Sequence, residues 1–391
     1  MKNFSFQIPT QIIFGSGTLE QLNTISLPGK KAMIITGGTS VQKYGYLDQV
    51  YKILKYRNID HVLYDKVVPN PIRKNVMEAR DIAREKKCDF FIGLGGGSSI
   101  DTAKSVAMMM TNPGDLWDYV PVGQGGKKDF TQKGFPLIAI PTTAGTGTEG
   151  NPTSVITNEI TGEKVGIRCE FPIISIVDPD LTININPRYT TYQGFDALFH
   201  NIEAFISQKA NPFSDLLALE GVRLIFENLP EAVRNGKNIE ARSAVSWAAT
   251  LGGMVLCLAS ATSAHVIEHS LSGIDPTVIH GEGLIMISKA FHQLGAERIP
   301  ELYSKLAFAI GMGDSKKTVQ ENAKAFLDAL EALKIACGVG GLNLSDHGFT
   351  EDDIDRIAEG AYVIGGGALT RDQYKISDQD LKEILRNSMH D

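Results

Sequence analysis

The stretch "CDFFIGLGGGSSIDTAKSVAMMMTN", residues 88–112, decides the fold class of this 391-residue chain. Its first part is a short apolar run, typical of a buried strand, that leads directly into the glycines Gly95–Gly97. From about Ser98 the apolar residues recur at helical spacing. A strand that enters a helix through glycines places unpaired backbone N–H groups, at the positive end of the helix dipole, where a phosphate can bind.

The glycine loop alone leaves two interpretations open. Glycines have no Cβ, so their backbone can approach a phosphate closely, and Ser98 can either cap the helix or donate to phosphate oxygens. The loop is neither G-x-G-x-x-G nor a P-loop, which would end in Lys-Ser or Lys-Thr. It therefore favours phosphate binding, and a tight strand–helix turn without a ligand is the alternative.

The same alternation of strand and helix continues over the first half of the chain. Strand-like runs are followed by helical stretches, and this order predicts a parallel sheet covered by helices on both faces. The strand-like runs are "KAMIITGG", "HVLYDKV", "CDFFIGLG", "FPLIAIP" and "IISIV", and the helical stretches are 47–58, 76–87 and 100–112.

After Pro187 strand-like runs largely disappear. The helical patterns there cover 188–208, 213–235, 238–260, 261–272, 281–295, 297–311, 316–336, 350–363 and 378–388. We therefore predict an α/β dinucleotide-binding domain over residues 1–187 and an all-helical, metal-binding domain over 188–391.

Composition excludes several classes of protein. The formal net charge is −7 and no strongly basic patch is present, so nucleic acid is not expected as a partner. No apolar run reaches about 18 residues without charges, which argues against a membrane span. The four separated cysteines form no C-x-x-C pair, and the N-terminus lacks a secretion signal. We expect a cytoplasmic protein with reduced thiols.

Two further loops follow predicted strands and are candidates for cofactor contacts. Dinucleotide folds often place an acidic residue at a strand end to hold the adenosine ribose, but "TGGTS" (36–40) is followed by no acid before Asp48. This leaves room for a 2′-phosphate and favours NADP(H), with NAD(H) open and an ordinary glycine turn as the alternative. The candidates in this loop are Gly37, Gly38, Thr39 and Ser40. In "IPTTAGTGTE" (140–149) and just beyond it they are Thr142, Thr143, Thr146 and Lys164.

Aspartate and histidine recur at helical spacing in the second half. Asp196 and His200 are four residues apart, as are His265 and His269, so each pair shares one helix face. His280 stands at a predicted helix start. One carboxylate with two or three imidazoles binds a first-row divalent metal, although the first pair alone could be a surface i,i+4 pair.

Taken together, the motifs resemble those of the iron-containing alcohol dehydrogenases. "GGGSSIDTAK", "IPTTAGTGTE", "GFDALFHNIEAF" and "HVIEHSLSG…HG" occur in the order of that family, "IIFGSG" fits as well, and the resemblance covers essentially the whole chain. The two glycines after the first strand resemble the NADPH-preferring, butanol dehydrogenase-like branch. The implied fold is that of dehydroquinate synthase-like proteins and iron-type alcohol dehydrogenases.

The resemblance implies a role for individual residues. The matching metal ligands are Asp196, His200, His265 and His280, and His269 matches a histidine near the metal and the nicotinamide that is usually not a ligand. The matching cofactor residues are Asn70, Gly96, Gly97, Ser98, Asp101, Thr142, Thr143 and Lys164. Two departures, Phe199 and Gly150–Asn151, concern the shape of the substrate pocket.

The implied activity is hydride transfer between NAD(P)(H) and a small primary alcohol or aldehyde, in either direction. Iron(II) would act as a Lewis acid, with zinc or nickel as alternatives in isolated protein, and His269 would relay a proton. We expect the active site in the cleft between the domains, and a homodimer. The alternatives are a lyase or cyclase of the dehydroquinate synthase type and a glycerol dehydrogenase-like polyol oxidation.

Residues 265–269 also read H-x-x-E-H, the inverted motif of some zinc peptidases. In a peptidase the glutamate serves as the general base for the metal-bound water. A peptidase has no use for a phosphate-binding domain, and the four implied ligands complete the shell without Glu268. We therefore reject this interpretation and expect Glu268 to be a solvated or structural residue.

Overall fold

The computed structural model describes residues 3–365 and 369–390. Contacts divide them into two compact units. One comprises Gln7–Asn184, and the other begins at Ile185 and includes the described residues before Gln7. In this second unit Phe6 stacks on Phe213, with 4.0 Å between ring centroids.

The first unit is built on a six-stranded parallel sheet. Its strands are β1 Gln11–Phe14, β2 Lys31–Gly37, β3 Asp60–Val67, β4 Phe90–Gly95, β5 Leu137–Pro141 and β8 Ile174–Val177. Their order in the sheet is β1-β8-β5-β4-β2-β3. The chain adds β3 on one side of β2 and then β4, β5 and β8 on the other, so the order reverses between β2 and β4. A separate antiparallel hairpin consists of β6 Thr153–Thr157 and β7 Lys164–Arg168.

The α-helices of the first unit lie along the chain between its strands, as the alternation of patterns predicted. They are α1 Ser40–Lys43, α2 Tyr46–Tyr56, α3 Arg73–Lys86 and α4 Gly97–Met109. Every residue of β4 is buried, as expected for a central strand covered on both faces. On one face, aliphatic residues of the sheet such as Ile34 and Ile92 join Val50 and Leu54 of α2 in one core.

The second unit is helical. Its helices are α5 Pro187–Ile206, α6 Pro212–Arg234, α7 Ile239–Ala259, α8 Ser263–Ile274, α9 His280–Arg298, α10 Pro300–Ala309, α11 Val319–Ala336, α12 Ile354–Gly365 and α13 Asp378–Asn387. The predicted fold class is confirmed, and each predicted helix is found within a few residues. Asparagine side chains cap α5 and α6, each of which has proline in its first turn.

One helix in the described residues, α7, is long and apolar enough to cross a membrane. Of its most apolar window, 61% is buried inside the protein. Helix α7 packs on α5 and α6. A core helix of this kind is as long and apolar as a membrane-spanning helix, because it is surrounded by other apolar side chains.

Candidate metal centre and cofactor loops

Four side chains from three helices of the second unit meet at one point. Helix α5 carries Asp196 and His200 on one face, α8 carries His265, and α9 begins with His280. The Asp196 Oδ1 atom lies 3.5 Å from His200 Nδ1, from His265 Nε2 and from His280 Nε2. The four potential ligand atoms all lie within 4.8 Å of one another.

These residues fit a divalent metal. Ligand atoms about 2.1 Å from a tetrahedrally coordinated ion lie about 3.4 Å from one another, close to the spacing found here. The Asp196 Oδ1, His200 Nδ1 and His265 Nε2 atoms are buried and have no hydrogen-bond partner. Buried polar atoms are rarely left unpaired, because each then carries a desolvation cost without compensation. A cation among these atoms would supply the missing partner.

The electrostatics of the cluster are dominated by burial and by the carboxylates. Burial alone raises the pKa of Asp196, but the imidazoles around it lower that pKa well below its usual range. For His265 burial acts in the opposite direction and lowers the pKa, but the carboxylates of Glu203 and Asp196 outweigh burial and raise the pKa to about 10. For His200 burial, together with the neighbouring imidazoles of His265 and His280, outweighs the attraction of the carboxylates and lowers the pKa to about 4. A cation at this point would compete with protons for the same atoms.

Close packing of α9 on α5 places His280. Gly281, the second residue of α9, lies so near the backbone carbonyl of Tyr192 that an added Cβ would collide with it. The glycine therefore lets the start of α9 approach the backbone of α5, the helix that carries Asp196. The sequence shows the glycine after His280 but not the reason for it.

Two glutamates lie directly behind the histidines. Glu203 Oε1 is 2.5 Å from His265 Nδ1, and Glu268 Oε2 is hydrogen-bonded to His280 Nδ1. Both glutamates are fully buried, so a solvated Glu268 was a wrong expectation and the structural option remains. Glu203 was not among the residues predicted from the sequence, although its position seven residues after Asp196 places it on the same face of α5.

The remaining candidates of this unit are near the cluster. The ring of His269 lies 5.5 Å from that of His280, and Glu268, His269 and His280 form a second group of potential ligand atoms within 4.8 Å. Phe199, one of the two departures from the family pattern, is buried and stacks on His292 at 5.4 Å. It contributes to the core of the helical unit.

In the first unit, the predicted cofactor loops lie at the carboxyl ends of neighbouring strands. Gly37 ends β2 and Gly38–Ser40 follow it, Gly95 ends β4 and leads through Gly96 into α4, and Thr142–Thr146 follow β5. Asn70 follows β3 and has a left-handed backbone, with φ of 50°. Ligands of open α/β sheets bind at the carboxyl ends where the strand order reverses, which here is between β2 and β4.

The glycine loop and the threonine loop are in contact. The Thr142 N–H group donates to the Gly95 carbonyl at 2.9 Å. A Cβ added to Gly97 would lie 2.7 Å from Thr146 Cγ2, and one added to Gly96 would lie 3.2 Å from Thr143 Cγ2. Glycine at positions 96 and 97 therefore leaves space between the start of α4 and the threonine loop, and a larger side chain at either position would occupy that space.

Two charged candidates, Asp101 and Lys164, are buried. The Asp101 carboxylate accepts hydrogen bonds from Thr148 Oγ1 at 2.5 Å and from the Val155 N–H group at 2.9 Å, and Lys104 Nζ is 3.8 Å away. Burial raises the pKa of the Asp101 carboxyl group. Lys164 is buried on β7, opposite Thr157 of β6.

Comparison with known proteins agrees with this geometry. The family described as "Iron-containing alcohol dehydrogenase" matches residues 9–179, and the C-terminal region of the same family matches 190–389. A choline dehydrogenase of Bacillus subtilis is 33% identical over 92% of this chain and 89% of its own. The crystal structure of the Red Sea brine pool alcohol dehydrogenase ADH/D1 has a TM-score of 0.93 at 32% identity, with both chains fully covered. That of NADH-dependent butanol dehydrogenase A from Thermotoga maritima has a TM-score of 0.87 at 30% identity, with 100% of this chain and 99% of that chain covered.

Proposed function

The chain belongs to the iron-containing alcohol dehydrogenase family and is a metal-dependent alcohol dehydrogenase, and from that premise we propose its substrates, cofactor and site residues. The proposed reaction is reversible hydride transfer between NADP(H) and a small primary alcohol or aldehyde. A net reaction of this kind distinguishes the chain from a lyase or cyclase, in which the cofactor is not consumed. The single observation that carries the proposal is the set of unpaired, buried ligand atoms around Asp196 Oδ1.

We assign the metal to Asp196, His200, His265 and His280. When bound, iron(II) supplies Lewis-acid polarisation of the substrate oxygen, and the nicotinamide supplies or accepts the hydride. Three imidazoles and one carboxylate suit iron(II), but zinc generally binds such ligands more tightly, so isolated protein is expected to carry zinc or nickel as well. The buried positions of Asp196, His200 and His265 keep water away from these ligands.

His269 is assigned the proton step. Its ring lies beside that of His280 and it is partly exposed, so an imidazole here can pass a proton between the substrate hydroxyl and water. It is proposed as the catalytic acid and base and not as a ligand.

The cofactor assignment follows the loops of the first unit. The N–H groups of Gly96, Gly97 and Ser98 open α4 and are suited to the pyrophosphate. Contacts with ribose and nicotinamide are assigned to Asn70, Thr142, Thr143, Thr146 and Lys164. The internal contacts of Asp101 support a positioning role for it, holding the first turn of α4 on the segment after β5.

NADP(H) is proposed over NAD(H) because no acidic residue follows β2 before Asp48. Gly37, Gly38, Thr39 and Ser40 are assigned to the 2′-phosphate, and the last three are exposed at the start of α1. The cytoplasmic location, predicted from the cysteine pattern, and the homodimer, implied by the resemblance, stay predictions. Light scattering, which gives the molar mass of the purified protein in solution, tests the homodimer.

The test combines kinetics with metal analysis. Steady-state rates with NADPH and with NADH across a panel of small aldehydes should show net oxidation of the cofactor and a higher kcat/KM for NADPH. His265→Ala should lose metal and activity together, whereas His269→Ala should keep most of the metal and lose turnover.

Three results would contradict parts of this proposal. Equal use of NADH contradicts the cofactor assignment, and a metal-free His269→Ala contradicts the role of His269. No net change in cofactor with any alcohol or aldehyde contradicts the reaction itself.

A further inference from the structure

Two buried carboxylates lie behind the metal-site histidines, each at the ring nitrogen opposite the one that faces Asp196. Glu203 and Glu268 are both 0% exposed. An ionised carboxylate in the interior is costly unless its oxygens accept good hydrogen bonds. The contacts of these two residues therefore show what each carboxylate does.

His265 is held between two acids at its two nitrogens. Its Nδ1 atom faces Glu203 Oε1 at 2.5 Å, while its Nε2 atom has no hydrogen-bond partner and faces Asp196 Oδ1 at 3.5 Å. An ionised carboxylate only accepts hydrogen bonds, so when a metal displaces the second proton and the ring is neutral, the remaining proton resides on Nδ1. Nε2 then has a free lone pair directed at the metal position.

His280 repeats this arrangement from another helix. Its Nδ1 atom is hydrogen-bonded to Glu268 Oε2, and its Nε2 atom is 3.5 Å from the same oxygen of Asp196. Glu203 is on α5 and serves a histidine of α8, whereas Glu268 is on α8 and serves a histidine of α9. Each pair therefore joins two helices that carry ligands.

Glu203 is itself fixed by the start of α8. Its second oxygen, Oε2, accepts from the Thr262 N–H group at 2.7 Å and from Thr262 Oγ1 at 3.0 Å. The carboxylate cannot rotate without losing these bonds, so the ring of His265 is held at a defined angle. His200 differs, because its Nδ1 atom is the one that faces Asp196.

We propose that Glu203 and Glu268 are positioning residues of the metal site, each accepting the Nδ1–H of one histidine so that the opposite nitrogen binds the ion. This inference rests on the proposed metal assignment. Carboxylates in this position orient the ring and make it a more basic ligand, and their loss typically weakens metal affinity by about 10- to 100-fold. Glu268 is then a partner of His280 and not a ligand of a second ion.

The first experiment measures Co²⁺ binding to the metal-free full-length chain. Glu203→Gln and Glu268→Gln keep the side-chain shape and remove the charge. Each should weaken Co²⁺ binding by about 10- to 100-fold and change the visible absorption bands of the bound ion, with one ion per chain retained. Asp372→Asn is the matched control, because Asp372 is also fully buried and accepts from Ser263 at the start of α8. None of the hydrogen bonds described for Asp372 goes to a histidine, so this variant should bind Co²⁺ within about twofold of the wild type.

The possible results separate this inference from the metal assignment. Wild-type affinity in both glutamine variants, or an equal loss in Asp372→Asn, overturns the positioning role. Two ions per wild-type chain and one in Glu268→Gln would make Glu268 a ligand and also overturn it. If Asp196→Asn binds Co²⁺ as tightly as the wild type, the metal assignment itself is wrong.

A second measurement needs no variant and so does not depend on the folding of one. Long-range ¹H–¹⁵N correlation spectra of the Zn²⁺-loaded chain, labelled with ¹⁵N-histidine, report the nitrogen that carries the proton in each ring. We expect two zinc-bound rings protonated at Nδ1 and one protonated at Nε2. Zinc bound through Nδ1 in all three rings would refute the inference.

Discussion

At the scale of single residues, the site shows how burial and pairing set the charge of each group. Asp196, Glu203 and Glu268 are buried carboxylates that face imidazoles, and those imidazoles lower the pKa values of Asp196 and Glu203 despite burial. His292, in the same unit, is buried among aromatic rings. The one hydrogen bond described for its ring joins Nδ1 to the Tyr303 hydroxyl at 2.9 Å. Burial lowers the pKa of His292 to about 4, so this ring is neutral.

The neutral state of His292 predicts acid sensitivity. In the unfolded chain the ring takes up a proton near its ordinary pKa of about 6.5, but in the folded protein only near 4. The unfolded state therefore binds more protons between these values, and folding stability is lost as the pH falls through that range. From pH 7 to pH 5 the wild type should lose about 2 kcal/mol more than His292→Asn, which keeps an acceptor for Tyr303 but cannot be protonated.

Urea unfolding at both pH values measures this difference. His61→Asn, at an exposed position of β3, is the control and should follow the wild type. The same pH dependence in His292→Asn and in the wild type would show that His292 does not titrate as proposed.

At the scale of elements, α4 illustrates how a glycine loop is supported from behind. Lys104, on the second turn of the helix, is 1% exposed, and its ammonium group donates to the carbonyl oxygens of Thr148 and Thr153 at 2.7 Å each. It also donates to Thr148 Oγ1 at 2.5 Å, and that hydroxyl in turn donates to Asp101. This network joins α4 to the segment after β5 and to β6, and so holds the loop Gly95–Ser98 against the threonine loop.

Removing the cation from this network should be costly. Lys104→Met leaves the buried Asp101 carboxylate without its compensating charge, and we expect the free energy of unfolding to fall by about 3–5 kcal/mol. Adding Asp101→Asn to Lys104→Met should cost less than the sum of the two single changes, because the charge to be compensated is then gone. Chemical denaturation of the four proteins provides the double-mutant cycle.

Lys324→Met is the matched control for this cycle. Lys324 is 72% exposed in its ion pair with Asp328, and its loss should change stability by no more than about 0.5 kcal/mol. Additive effects of the Lys104 and Asp101 changes would contradict the network.

At the scale of the whole molecule, the proposed metal links helix α5 to the consecutive helices α8 and α9, which begin more than 50 residues after α5 ends. The ligands come from α5, α8 and α9, and the two glutamates add bonds between the same helices. An ion bound only by the folded chain stabilises it by mass action, and the ligand cluster does not exist in the unfolded chain. Metal binding and folding of the second unit are therefore coupled.

This coupling predicts metal-dependent stability. Zn²⁺ added to the metal-free chain at about 100 times its dissociation constant should raise the free energy of unfolding by about 2.7 kcal/mol, seen as a higher Tm in calorimetry. Asp196→Asn should lose most of this increase, and Mg²⁺, which prefers oxygen ligands, should produce little. A Zn²⁺ effect of the same size in Asp196→Asn would place the ion elsewhere.

Local patterns in the sequence were enough to predict the types and approximate limits of the elements and most of the candidate residues. Apolar periodicity and glycines act over a few residues, so β4, α4 and the nine helices found in the described part of the second unit could be predicted, and i,i+4 spacing placed Asp196 and His200 on one helix face. Strand β1 and the β6–β7 hairpin were not predicted, because such short strands are stabilised by partners distant in sequence. The strand order, the spacing of the four ligand atoms around Asp196, and the pairing of Glu203 and Glu268 with particular histidine nitrogens emerge only in the folded chain. These depend on packing between remote segments and on which atoms burial leaves without water, neither of which is present in a local pattern of residues.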